Sequence, residues 1–226
     1  MFYWGDSTFL LIIPVFILAI SVQYTVKQKY KKFSKVANLH NITGAQAARI
    51  ILDSNGLNNV KIEMVQGELT DHYDPRSQVV RLSAFNYHEP SVASITIAAH
   101  ECGHAIQHAE KYAPLALRAS ILPIANLGSK GAFPLFILGM IFSIPPLMDI
   151  GILFFAGALL FHLVTLPVEF NASSRAYVQL RAAGIAEERE MQGAHQVLNA
   201  AAMTYVASTL MALVQLIRLI VLRNRR

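Results

Sequence analysis

One cysteine in 226 residues, and charged side chains at only 15% of the chain, are the first features of this sequence. A single thiol, Cys102, excludes an intramolecular disulfide. Soluble domains carry about 25% charged residues, so the deficit excludes an ordinary soluble globular chain. Aromatics make up 9% and tryptophan occurs once. The formal net charge is +5, but the basic residues gather beside apolar runs and not among stacking aromatics, which argues against nucleic acid as a partner. There is no internal repeat and no low-complexity tract. Apolar residues are what the chain has in abundance, at 54%, with a mean hydropathy of +0.41. The composition reads as an integral, multi-pass membrane protein with one modest polar portion, and the lipid bilayer is its first partner.

The apolar runs divide the chain. Residues 1–26 hold a first transmembrane helix, with an almost unbroken apolar run from Thr8 that is long enough for a bilayer core, which needs about 20 residues. Pro14 is tolerable in such a helix. No basic segment precedes the run and no small-residue cleavage site follows it, so a cleaved signal peptide is disfavoured. Tyr3 and Trp4 suit an interfacial belt. Lys27, Lys29, Lys31, Lys32 and Lys35 come next, and the positive-inside rule places them in the cytoplasm with Met1 outside. Residues 27–112 form the polar portion. Residues 113–168 read as an interfacial helix (116–128) and two spans (131–148 and 150–167), with Pro145, Pro146 and Asp149 at the bend between them. Residues 169–199 are polar again, and 200–226 form a last span with a basic tail. Four spans beginning outside also end outside, whereas Arg223, Arg225 and Arg226 prefer the cytoplasm. Either the last segment, which contains Arg218, is re-entrant or interfacial, or the first basic cluster does not set orientation. The fold expected is mainly α: a multi-span helical bundle with a small α+β, zincin-like catalytic portion.

Within the polar portion, Thr43 is an N-cap for an amphipathic helix that Gly56 stops. Residues 60–65 alternate as a strand does, and residues 77–83 read as a second. Between them, Asp71-His72-Tyr73-Asp74-Pro75-Arg76 is a turn signal, and Asp71, His72 and Asp74 are turn residues before they are ligands. A strand just ahead of the next helix is either a sheet edge for an extended peptide or part of a structural hairpin. Pro90 suits a first turn of a helix from about Ser91 to Glu110.

That helix carries His100-Glu101-Cys102-Gly103-His104, an H-E-x-x-H pattern. Residues four apart share a helical face, so His100 and His104 can aim both imidazoles at one Zn²⁺. Glu101, one step round, can act as general base on a water whose pKa the metal lowers to about 7. The flanks, Ala98-Ala99 and Ala105-Ile106, are apolar, where a satisfied polar cluster is the bland alternative. Cys102 points off the His100/His104 face and reads as a small buried residue. His108 shares that face broadly, but one straight helix cannot easily bring i, i+4 and i+8 to one tetrahedral metal. An interfacial or supporting role suits it better.

A catalytic zinc ordinarily has three protein ligands and an open position. Glu169 is the best third ligand: two spans separate it from the metal helix, an even number of crossings that returns the chain to the same side. A glutamate at a helix start on the membrane surface is the plain alternative, and His108 and His72 remain as other donors.

The stretches His100–His108, Asp71–Pro75, Val168–Ser173 and Val197–Ala207 resemble the YugP-type neutral zinc metallopeptidases of bacterial membranes, over nearly the whole chain. H-E-x-x-H followed by Glu169-Phe170-Asn171-Ala172 is more distantly similar to the gluzincin membrane proteases, including HtpX-like and CAAX-prenyl proteases. The resemblance implies His100, His104 and Glu169 as zinc ligands and Glu101 as base. The distant relatives carry an aspartate four residues after the ligand glutamate to orient a histidine. Ser173 stands there in this chain and can bond an imidazole only more weakly.

The function expected is a membrane-embedded zinc endopeptidase acting on a peptide or protein substrate, with its site on the cytoplasmic side. An oxyanion donor would come from His195, Tyr205 or Arg175, with Asn199 also open. Two other classes compete: a non-catalytic membrane scaffold with a structural metal, and a zinc hydrolase acting on a lipid or small amide. Closed structural zinc sites usually contain cysteine, and Cys102 points the wrong way.

Overall fold

A computed structural model describes residues 7–225. Tyr3, Trp4 and Arg226 lie outside the described residues. The chain is helical with one small sheet: a 3-10 turn (Ser7–Leu11), α1 (Ile12–Phe33), α2 (Gly44–Ser54), β1 (Lys61–Val65), β2 (His72–Asp74), β3 (Val79–Ser83), α3 (Ala84–His88), α4 (Val92–Ala109), α5 (Ala113–Ile141), α6 (Pro145–Ala182) and α7 (Glu188–Asn224). Among the described residues, four helical stretches are long and apolar enough to cross a membrane: Thr8–Phe33, Ala113–Ile141, Pro145–Ala182 and Glu188–Asn224. The chain forms two compact units, one from Tyr24–Leu115 and Val168–Ala202, the other from the described parts of Met1–Gln23, Ala116–Pro167 and Met203–Arg226.

The second unit is built from apolar helix segments. Its α5 and α6 approach through small residues, as helices in lipid do: a Cβ on Gly151 would meet Ala132 O at 2.8 Å. Residues 116–128, expected as a separate interfacial helix, are the first half of an unbroken α5. The bend falls at Phe142 to Ile144, so Pro145 and Pro146 open α6 and do not sit in the bend. Proline is suited to a first turn because its missing N–H is unsatisfied there anyway. α7 is one unbroken helix to Asn224. Arg223 makes two hydrogen bonds with Asp149, at 2.7 and 3.0 Å.

The first unit holds the polar portion. α1 does not stop before its lysines but carries Lys27, Lys29, Lys31 and Lys32 on its last turns. Thr43 caps α2 in a full capping box with Gln46, and Gly56 takes the left-handed backbone just beyond it (φ +71°). Buried Ala47, Ala48, Ile51 and Leu52 of α2 form one core with Val80 and Leu82 of β3, Ile95, Ala98, Ala99 and Cys102 of α4, and Ala176 and Leu180 of α6.

The sheet order is β1-β3-β2, with β1 parallel and β2 antiparallel to β3. Two expectations change here. Residues 72–74, expected in a turn, form the edge strand β2, and the turn itself is residues 75–78. The strand nearest the metal helix, β3, is central, so it has no free edge for a peptide. The reason is Asp71: its carboxylate accepts from Ser83 N (2.7 Å), from Ser83 Oγ and from Asn86 Nδ2 (2.9 Å). These bonds pin the start of β2 to the end of β3. β3 is shorter than the expected 77–83 because Ser77 and Gln78 belong to the turn, Gln78 with φ +53°.

Asp74 closes that turn. It accepts from Ser77 Oγ (2.6 Å) and Arg76 N (3.0 Å), and Arg81 reaches it at 3.3 Å. The Ser77 hydroxyl first, then the Arg76 amide, hold its carboxyl at about 2 against an ordinary 3.8. A depressed acid stabilises the fold above its unfolded pKa and loses that contribution as pH falls through the folded one. Asp74→Asn should therefore lower the thermal midpoint of the detergent-solubilised protein at pH 7, and the difference from the parent should vanish between about pH 4 and pH 2.

Candidate metal centre

α4 begins at Ser91, whose hydroxyl accepts from Ser94 N, with Pro90 just ahead of the cap and not in the first turn. From this start, His100 and His104 fall on one face, with ring centroids 4.8 Å apart and planes at 84°. The facing element is α6. Glu169 is not at a helix start but well inside α6, buried at 2% exposure. Its Oε2 lies 3.4 Å from His100 Nε2 and 3.5 Å from His104 Nε2. The three residues offer donor atoms all within 4.8 Å of one another, and among the described residues they form a group that could hold a metal ion. Two imidazole nitrogens and one carboxylate oxygen are a donor set that suits zinc.

The approach that makes this meeting possible is steric. Gly103, between the two histidines, faces the α6 backbone, and a Cβ there would sit 2.6 Å from Ala172 O. The remaining ring nitrogens are also engaged. His100 Nδ1 lies 3.3 Å from Ser173 Oγ, and His104 Nδ1 lies 3.0 Å from Gln107 Oε1. Gln107 is fully buried; its Nε2 donates to Val168 O (2.8 Å) and Asn171 Oδ1 (2.9 Å). Gln107 and Asn171 were not singled out from the sequence. The available signal was Gln107 standing three residues after His104, one turn further along the same side of the helix.

Electrostatics follow from burial. Glu101 is 8% exposed, and burial pushes its carboxyl up, with the two imidazoles opposing and Asp71 and Glu169 adding to the rise. Burial would depress His104, but the Glu169 and Glu101 carboxylates and Gln107 outweigh it and hold the imidazole above its ordinary value. Burial pushes the Cys102 thiol far up; its Sγ lies 3.6 Å from Ala48 O on α2. That is the small buried residue expected.

The other candidates are placed elsewhere. His108 Nδ1 bonds the Tyr73 hydroxyl at 2.9 Å and is not in the donor group. His72 is exposed, with Nδ1 2.8 Å from Thr70 O. Arg175 donates to Asn171 Oδ1 at 2.7 Å and pairs with Glu110 at 2.6 Å, so its guanidinium is committed to α4. His195 is exposed on α7, edge-on to Tyr177 at 6.2 Å, and Asn199 is exposed as well. Tyr205 is half-buried on the α7 segment of the other unit.

The model of a family described as "putative neutral zinc metallopeptidase" matches residues 8–224. The chain belongs to that family. It is 46% identical over 205 residues, 91% of each chain, to the protein named "Putative membrane protease YugP" from Bacillus subtilis (strain 168). No solved structure gives a significant match. The zinc metallopeptidase family thus meets a donor triad of two histidines and a glutamate in this chain.

Gly103→Ala separates steric need from helix propensity. Alanine should gain about 1 kcal/mol in a helix interior, while forcing two backbones apart costs typically about 1–3 kcal/mol. The expected outcome is a net fall in thermal stability, read from melting of the purified protein. A rise would mean that the helices relax apart freely.

Proposed function

We propose that the protein is a membrane-embedded zinc endopeptidase of gluzincin type, with His100, His104 and Glu169 as ligands and Glu101 as general base. The observation that carries this reading is the convergence of both Nε2 atoms on Glu169 Oε2, at 3.4 and 3.5 Å. A three-donor set leaves room for water and substrate, which separates it from a closed structural site. Zinc bound there supplies Lewis acidity toward a carbonyl oxygen and toward water.

The chain's own residues do the rest. Glu101, with its proton affinity raised by burial, takes the proton of the attacking water and delivers it to the leaving amine. His100 and His104 keep their Nε2 atoms on the donor face through bonds made at Nδ1. β2 is a sheet edge tied to α4 by the bond from Tyr73 to His108, and an extended peptide can add to it as a further strand.

The lysine-rich end of α1 and the donor triad belong to the same unit. The positive-inside rule supports a site that faces the cytoplasm. The basic tail weighs less against this orientation because Arg223 is paired with Asp149.

Glu101→Gln should keep zinc, measured by metal analysis, and lose hydrolysis of a casein-type substrate by about 10²–10⁴-fold. Equal cleavage by the variant would remove Glu101 as base. Glu169→Ala should lower zinc occupancy of the purified chain. Unchanged occupancy would transfer the third position to another donor.

A further inference from the structure

Gln107 lies outside the H-E-x-x-H pattern, yet it is fully buried and every polar atom of its side chain is used. Its Nε2 donates both protons, one to the Val168 carbonyl at 2.8 Å and one to Asn171 Oδ1 at 2.9 Å. The amide cannot be turned over, because its oxygen would then face two other acceptors in a dry site. Oε1 is therefore the atom 3.0 Å from His104 Nδ1. A carbonyl oxygen only accepts, so Nδ1 must carry a proton, and in the neutral ring the lone pair is left on Nε2, the atom that faces Glu169.

We propose that Gln107 is a positioning residue for His104, fixing the tautomer and ring plane that a metal at the donor triad requires. The inference rests on the reading of His104 as a ligand. His100 is held differently. Its Nδ1 meets the Ser173 hydroxyl at 3.3 Å, and a hydroxyl can donate or accept, so Ser173 does not dictate a tautomer. The fixed ring is thus the second histidine of the motif, not the first.

The support for Gln107 extends to the surface. Asn171 Oδ1 accepts from Arg175 Nε at 2.7 Å as well as from Gln107, and Arg175 pairs with Glu110, the C-cap of α4, at 2.6 Å. Asn171 and Arg175 share the face of α6 with one turn between them, so the guanidinium holds the rotamer of Asn171 that receives Gln107. The bridge ties α4 to α6 at both Gln107 and Glu110, on either side of His108. The alternative role for Gln107 is adhesion between two helices with no effect on the imidazole, and the two roles make opposite predictions for two substitutions.

The test uses the full-length protein in detergent and reads zinc affinity by competition with a chromophoric chelator. Gln107→Leu removes the acceptor and should weaken zinc by about 10- to 100-fold. Gln107→Glu retains an oxygen that accepts from Nδ1 and should recover most of that loss. For mere adhesion the order reverses, since leucine suits a core and a carboxylate facing two acceptors does not. Equal affinity in parent and Gln107→Leu, or a weaker Gln107→Glu than Gln107→Leu, overturns the proposal.

A second measurement needs neither variant to fold and no metal. In the metal-free parent labelled with ¹⁵N-histidine, at a pH where the imidazoles are neutral, His104 should show a protonated Nδ1 and a bare Nε2, assigned by loss of the signal in His104→Asn. A proton on Nε2 overturns the proposal. If the parent binds no zinc, the metal reading fails, and the tautomer still decides for or against Gln107.

Discussion

The close approach of α4 to α6 at Gly103 is the constraint on which the rest of the first unit depends. Two helix backbones come within a distance that leaves no space for a methyl group, since a Cβ on Gly103 would lie 2.6 Å from Ala172 O. Glu169 stands one turn before Ala172 on α6, and His100 and His104 flank Gly103 on α4. Glutamate can therefore reach both imidazoles only because the residue between them has no side chain. The usual destabilising effect of glycine in a helix interior, about 1 kcal/mol, is offset by the contact it permits. Gln107 and Ser173 then bond across the same seam, one from each helix, so the seam both gathers the donors and orients them.

Electrostatics explain why such a seam is suited to a cation. Glu169 is 2% exposed and Glu101 8%, and ionised carboxylates withdrawn from water are costly unless paired. The two imidazoles lie against Glu169, whereas at Glu101 burial outweighs the imidazoles and pushes the carboxyl up. A divalent ion among the donors would relieve the desolvated carboxylate directly, which ties metal binding to the stability of the unit. The proposed division of labour follows: the less accessible carboxylate holds the ion and the up-shifted one handles protons, two environments separating two groups of the same chemistry.

Much of this arrangement was legible in the residues because its signals are local. A capping Thr43 with Gln46 three residues on, a histidine pair at helical spacing, and an apolar run longer than a bilayer core each specify structure within a few turns. Glu169 was legible only through topology, by counting crossings between two distant segments. What escaped were decisions taken across the chain. Asp71 binds Ser83 and Asn86 and so turns residues 72–74 from loop into edge strand, and no spacing rule in the sequence announces that pairing. Gln107 by itself is one more polar residue on a helix, and only the carbonyl of Val168 and the amide of Asn171 on another element give it a direction. Arg175 was set among possible oxyanion donors, whereas Glu110 and Asn171 commit it to the outer end of the bridge.

The two ring-orienting contacts are unequal. Ser173 offers a neutral hydroxyl to His100 at 3.3 Å, a longer and weaker contact than a carboxylate would make. A weak hold on one imidazole leaves the site dependent on the other. His104 meets that need through an amide oxygen at 3.0 Å whose own N–H groups are both spent on α6. Orientation in the triad thus comes from the second histidine outward, through Gln107 to Asn171 and Arg175. A neutral partner also adds no further negative charge to a pocket that already buries Glu101 and Glu169, and a third carboxylate there would need compensation that the surrounding apolar core does not contain.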